Sequence, residues 1–181
     1  MRSYKTEGIV LRRTNIGEAD RILTVFTQKY GKIQAKAPGV RRITSKRSAH
    51  IELLNYSTLA LYKSSRSQLP IVIEAQTLEN YALIKKDLKK IGLAFYICEL
   101  VNNFCPENQE NHKIFHLIKN TLLVLENSLS SNFIIDSFEK KLLEFLGFTP
   151  KLYQLQDRQF FMENILERRL KTKDLLPYFI S

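Results

Sequence analysis

Cysteine is scarce in this 181-residue chain: Cys98 and Cys105 are the only two, too few for a disulfide framework, so a reducing interior is expected. Long apolar runs are missing as well. The longest, Leu93 to Cys98, falls far short of the roughly 20 residues that cross a bilayer, and Ile9-Val10-Leu11 is too short for a secretion signal. A cytoplasmic protein without membrane contact is the expectation. Nucleotide and nucleophile signatures are also lacking. Gly31-Lys32 has Phe26 where a phosphate loop needs its first glycine and Ile33 where it needs Ser or Thr, and no G-x-S-x-G elbow occurs. Cys98 and Cys105 are seven apart on an apolar helical stretch, and His112 and His116 are four apart on another, which is not the closely spaced pairing that zinc favours. Glu7, Glu18 and Asp20 do not resemble a two-metal nuclease cluster. Binding without a cofactor or metal is therefore expected, rather than catalysis.

One further absence has a positive meaning. No acidic residue occurs from Arg21 to Ile51, while Arg21, Lys29, Lys32, Lys36, Arg41, Arg42, Lys46 and Arg47 all fall there. Residues 1–80 hold 14 Lys+Arg against 6 Asp+Glu, whereas 81–181 hold 14 against 12, so most of the +10 net charge lies in the first part. Such a field attracts polyanions, nucleic acid above all, although a merely solvated basic surface would read the same way. With 44% apolar and 25% charged residues, the chain has the composition of a folded protein.

Two periods divide the chain. Strands are expected at Glu7–Arg13, Arg21–Thr27, Lys32–Ala37, Tyr56–Lys63 and Leu69–Thr77, separated by Asn15-Ile16-Gly17, Lys29-Tyr30-Gly31, Pro38-Gly39 and Ser64–Ser67. In the third, Ile33, Ala35 and Ala37 alternate with Lys32, Gln34 and Lys36, which places both lysines on an exposed face. Five short strands suit a Greek-key barrel, OB-fold or SH3-like. Helical spacing then takes over: Leu78–Lys90 and Ile91–Phe104 with Gly92 a weak point between or within them, a helix through Ile114–Leu125, another through Phe138–Leu146 capped by Gly147 before Pro150, and a last one near Arg158–Lys171, followed by Leu175–Ile180. Phe104, Phe115, Phe138 and Phe145 are expected in the core. The expected class is α+β, with an OB-fold barrel over residues 1–78 and an all-α domain over 79–181.

Lys32, Lys36, Arg41, Arg42, Lys46 and Arg47 would line a basic track, with Arg21 and Lys29 beside it. Tyr30 is its one candidate for base stacking, or else a turn residue packing on the barrel. Contacts to phosphates rather than base edges would suit both single strands and duplex. Charge does not separate DNA from RNA, and a protein–protein adaptor with a solvated loop also fits.

Several segments, in this order, resemble the RecO family of bacterial recombination mediators. They are Gly8-Ile9-Val10-Leu11-Arg12, Gly17 to Thr27, Tyr30-Gly31-Lys32, Gly39-Val40-Arg41-Arg42 with Ser45-Lys46-Arg47, Glu99-Leu100-Val101 before Pro106-Glu107, and Phe138 to Pro150. The resemblance covers about residues 4–152. It implies an OB-fold followed by a helical domain, binding of single- and double-stranded DNA, strand annealing, work with RecR, and help for RecA in replacing single-strand-binding protein (SSB). It also implies a cytoplasmic, nucleoid-associated role in DNA repair without enzymatic activity. Many family members carry a four-cysteine zinc module after the Gly-Phe-x-Pro segment; here Lys151–Asp157 holds no cysteine, and the chain runs on less far than most relatives. No zinc is therefore expected. The SSB C-terminal tail, acidic and apolar, would need an apolar pocket rimmed by positive charge. Lys85-Lys86, Lys89-Lys90 and Lys140-Lys141 are the candidate rims, or else the solvated sides of amphipathic helices.

Overall fold

A computed structural model of the chain describes residues 2–65, 67–128, 132–148 and 158–172. They fall into two compact units, Met1–Asn80 with Pro106–Phe115, and Tyr81–Cys105 with His116–Ser181. Pro150, Lys151–Asp157 and Leu175–Ile180, on which expectations were placed above, lie outside the described residues.

In the first unit β1 (Arg2–Ile16), β2 (Asp20–Thr27), β3 (Gly31–Ala37), β4 (Tyr56–Lys63) and β5 (Ile71–Glu79) close into a barrel in the order β1-β2-β3-β5-β4. Strand β1 is far longer than the expected Glu7–Arg13 because it serves two neighbours. It pairs with β4 from Arg2 to Ile9 and with β2 from Gly8 to Ile16, with a bulge between Val10 and Arg12. A bulge raises local twist and lets one strand cross from one pairing to the next. Parallel pairing of Lys36 with Ile71 completes the ring. This five-stranded ring is the OB arrangement. Val10, Leu23, Val25, Ile33, Ala35, Leu59, Leu61 and Val72 fill its interior. The β3–β4 connection adds Val40 and Ile51, the latter from a short 3-10 turn at Ser48–Ile51. Expected as a plain polar loop, this connection is anchored at both ends by core residues.

Sequence alone gives no sign that Pro106–Phe115 belongs with the barrel. Cα pairings run Tyr56–Ile9, Ile9–Phe26 and Phe26–Lys32, so these four residues form one row across β4, β1, β2 and β3. The row lies outside the barrel core, yet Ile9, Phe26 and Tyr56 are buried. The Phe115 ring meets that of Tyr56 edge-on at 6.1 Å, and the Asn108 amide donates to the Lys32 carbonyl at 2.8 Å. Gly31 makes this docking possible. Its φ is +63°, and a Cβ there would fall 1.8 Å from the Gln109 carbonyl oxygen.

The second unit holds α1 (Ala82–Lys86), α2 (Leu88–Phe104), the greater part of α3 (His112–Asn127), α4 (Asn132–Phe145) and α5 (Arg158–Leu166). The break between the first two falls at Asp87 rather than between Lys90 and Ile91, Leu78 and Glu79 belong to β5, and Gly92 is buried inside α2. Asp87 caps α2 by accepting from the Lys89 and Lys90 amides at 2.9 and 3.0 Å, and a capping carboxylate sets a helix start more firmly than one interior glycine breaks it. Gly147 ends α4 with φ +89°, as its position suggested. Helix α5 stops at Leu166, short of the expected Lys171, because Glu167 turns left-handed at φ +52°. Phe115 and Phe138 are buried as expected, while Phe104 and Phe145 are half-buried. A charged cluster ties three helices together. Glu139, 3% exposed, accepts from the Tyr96 hydroxyl at 2.7 Å and from Arg158 at 2.9 Å, and Arg158 also meets Asp136 at 2.7 Å. Burial, reinforced by Glu139, pushes the Tyr96 phenol far above its ordinary range, so it stays a donor.

Candidate nucleic-acid interface

The basic loop is a held structure, not a free arm. Asp20, at the start of β2, accepts from the Gly39 amide at 2.8 Å and pairs with Lys36 at 2.9 Å. The Gly39 hydrogen bond, then Lys36, holds the Asp20 carboxyl below its ordinary range. Arg41 donates from its backbone to the Ala19 carbonyl at 2.9 Å and from its guanidinium to the Gly17 carbonyl at 3.0 Å. Arg47 reaches inward to the carbonyls of Pro38, at 2.7 Å, and Val72. The β1–β2 turn and the loop after β3 therefore form one ordered surface.

Acids distant in sequence change the balance of charge on this surface. Arg21 pairs with Glu52 at 3.2 Å, and Arg13 meets the same carboxylate. Lys36 is occupied by Asp20, and Arg47 spends its donors on the backbone. The basic run is thus compensated in part in space, which its sequence does not show. Lys32 departs furthest from expectation. Instead of sharing an exposed face with Lys36 it is 8% exposed, because its face of β3 carries the Pro106–Phe115 segment, with a bridge to Glu107. Lys29, Arg41, Arg42 and Lys46 keep exposed side chains, and neither Lys29 nor Lys46 is in a salt bridge among the described residues. Arg41, Arg42 and Lys46 lie together on the loop, whereas Lys29 sits in the β2–β3 turn.

Tyr30 occupies that same turn, beyond the Gly8–Thr27 end of the β1–β2 pairing, roughly 25 Å along the hairpin from the basic loop at about 3.3 Å per residue. Its ring packs edge-on against Tyr4 at a centroid distance of 4.8 Å, yet it remains 37% exposed. With Ile33, Lys63 and Asn108 the two rings line a cleft of about 250 Å³. Packing and an exposed ring coexist here, so the two roles weighed for Tyr30 are not exclusive. Sequence reading missed Tyr4 because its partner is 26 positions away.

In the helical unit, Leu117, Thr121 and Val124 of α3 face Phe133, Phe138 and Lys141 of α4 across a mainly apolar groove of about 250 Å³. Phe133 and Val124 are well exposed. Of the three lysine pairs, only Lys140-Lys141 reaches this groove. Lys140 is paired with Asp136 at 2.7 Å, which leaves Lys141 as the charge on the rim, and Lys90 is tied to the Glu126 carbonyl at 2.8 Å. Among the described residues no group of three or more His, Cys, Asp or Glu side chains is placed to hold a metal ion. Cys98 is buried, and burial raises its thiol pKa to about 12; His112 is exposed and pairs with Glu110 at 2.6 Å. Among those residues no helix is long and apolar enough to cross a membrane.

Comparison with known proteins agrees with this architecture. Residues 1–81 match the family model described as Recombination protein O N terminal, and residues 85–154 match Recombination protein O C terminal. The chain is similar to a protein named DNA repair protein RecO from Dehalococcoides mccartyi, 39% identical over 149 residues, which are 82% of this chain and 58% of that protein. Proteins of the same name from Roseiflexus sp. and Alkaliphilus metalliredigens are 35% and 37% identical over 84% and 82% of this chain, and 53% and 60% of their own lengths. The chain therefore spans between 53% and 60% of the length of these curated relatives.

Proposed function

The chain belongs to the RecO family of DNA repair proteins, and from that premise we propose that it is a non-enzymatic mediator that binds DNA through the barrel and anneals complementary strands. The observation that carries this reading is the ordered loop bearing Arg41, Arg42 and Lys46 with exposed charges on the family's N-terminal barrel. Phosphates are its natural ligands, because guanidinium and ammonium groups on a loop with few aromatic neighbours contact backbone rather than base edges. A surface that binds phosphates is tolerant of single strand and duplex alike. Annealing requires that tolerance, since reactants and product must both be held.

The α3–α4 groove supports a second element of the same reading. An apolar floor of Val124, Phe133 and Phe138 with Lys141 at the rim suits an acidic, apolar peptide, and the SSB C-terminal tail has that chemistry. Docking there would bring the barrel to SSB-coated single strands, where the protein, with RecR, would help RecA load. The test compares annealing of complementary oligonucleotides, bare and SSB-coated. Acceleration on both substrates is expected, with Lys141→Glu impairing only the coated one. No acceleration on either would overturn the reading.

A further inference from the structure

The basic loop presents one side chain that its charges do not account for. Ile43 follows Arg42 in a turn closed by the Ser45 amide donating to the Arg42 carbonyl at 2.9 Å, and its relative exposure is 105%. Single apolar residues on a surface are ordinary when they lean on neighbours. Every other large exposed apolar side chain among the described residues is at 80% or less, so Ile43 stands apart in its exposure. Turns favour Gly, Asn, Asp, Ser and Pro, and a β-branched apolar residue gives this one no folding advantage. The turn is nonetheless held firmly: Val40 behind it is buried in the barrel core, Arg47 ties the loop to Pro38 and Val72, and Asp20 holds Gly39. Arg41, Arg42 and Lys46 flank the tip with exposed cationic side chains.

A stiff apolar side chain at the summit of a fixed, cationic turn is the arrangement with which proteins separate stacked bases. Arginines and lysines hold phosphates on either side while the apolar group enters a base step and is covered by the base faces. We propose that Ile43 is a base-contacting wedge that enters a step of the bound single strand and holds the two neighbouring bases apart. The proposal rests on the reading that the loop binds DNA and adds a contact with bases to it. The wedge would contact base faces and leave the pairing edges free for a complementary strand, so it is compatible with annealing. A protein partner with an apolar pocket is the competing occupant. The basic surroundings favour a polyanion.

The probe is a single-stranded oligonucleotide with 2-aminopurine flanked by adenines, whose fluorescence is quenched by stacking. The full chain, Ile43→Ala and Ile43→Lys are titrated across a range of salt concentrations. Wild type should raise the fluorescence about two-fold as the step opens. Ile43→Ala should lose most of that rise while keeping the salt dependence of binding. Ile43→Lys should also lose it and steepen the salt slope by about 0.7, one further phosphate being contacted. If wild type binds with the expected salt slope but leaves the fluorescence quenched, or if both variants keep the wild-type rise, the wedge is overturned and the phosphate-binding reading stands. Absence of salt-dependent binding by wild type would overturn both.

Discussion

Asp20 joins two segments of the barrel at one carboxylate: Oδ1 accepts from the Gly39 amide at 2.8 Å while Oδ2 faces the Lys36 ammonium at 2.9 Å. The same group thus orders the basic loop and neutralises Lys36 at the end of β3. Asp20→Asn should separate these roles. Lys36 would be released to phosphate, steepening the single-strand salt slope by about 0.7. Exchange of the Gly39 amide should accelerate only modestly, because the Asn amide oxygen still accepts and only the charge assistance is lost. The wild-type contribution has a defined pH dependence. The native pKa is depressed below the unfolded value of about 3.9, so the contribution is complete above that value and disappears as pH falls through the lower native one. Hydrogen exchange at Gly39 in a pH series checks the direction.

Two arginine substitutions in one loop should have opposite signatures. Arg41→Ala with Arg42→Ala removes exposed charges, and binding should weaken alike for unrelated sequences. With about four phosphates neutralised by wild type, the single-strand slope should fall from near −2.8 to near −1.4. Arg47→Ala removes hydrogen bonds to the Pro38 and Val72 carbonyls, and should cost about 1–3 kcal/mol of stability. Urea denaturation beside salt-dependent binding distinguishes the two. An unchanged slope in the double variant would remove the loop from the interface.

Gly31 tests the packing of Pro106–Phe115. In Gly31→Ala the new methyl group meets the Gln109 carbonyl in a backbone conformation with φ +63°, so the segment must move away from the barrel. A loss of more than about 1 kcal/mol is expected. Lys32 should become more reactive toward an amine-acylating reagent, as read by mass spectrometry of the labelled peptide.

Glu139 carries the chief electrostatic risk of the helical unit. Glu139→Ala would remove one of the two carboxylates that meet Arg158 and the carboxylate that accepts from the buried Tyr96 hydroxyl. Loss of one member of a largely buried pair predicts destabilisation by about 3 kcal/mol. Tyr96→Phe, which removes one hydrogen bond and keeps the ring, should cost about 1 kcal/mol. Chemical denaturation of the full chain measures both.

The strands at Arg21–Thr27, Lys32–Ala37 and Tyr56–Lys63 were legible because their cause is local: β-branched and alternating residues between turn signals form strands in almost any surroundings. Helices α3 and α4 were legible for the same reason, through apolar periodicity and the Gly147 stop. The excess of positive charge on the first eighty residues is likewise a property of the chain itself. Which of those charges remain available is not. Glu52 lies 31 positions from Arg21, and the segment beside Lys32 begins more than 70 positions away, so only closure of the barrel and return of the chain at Pro106 decide that Arg21 is paired and Lys32 buried. Alternation gives the face of a strand on which a residue lies, but burial of that face depends on what packs over it. Periodicity set the secondary structure and composition the sign of the charge; tertiary contact, which acts through space without regard to sequence separation, selected Arg41, Arg42 and Lys46 as the loop's exposed cations.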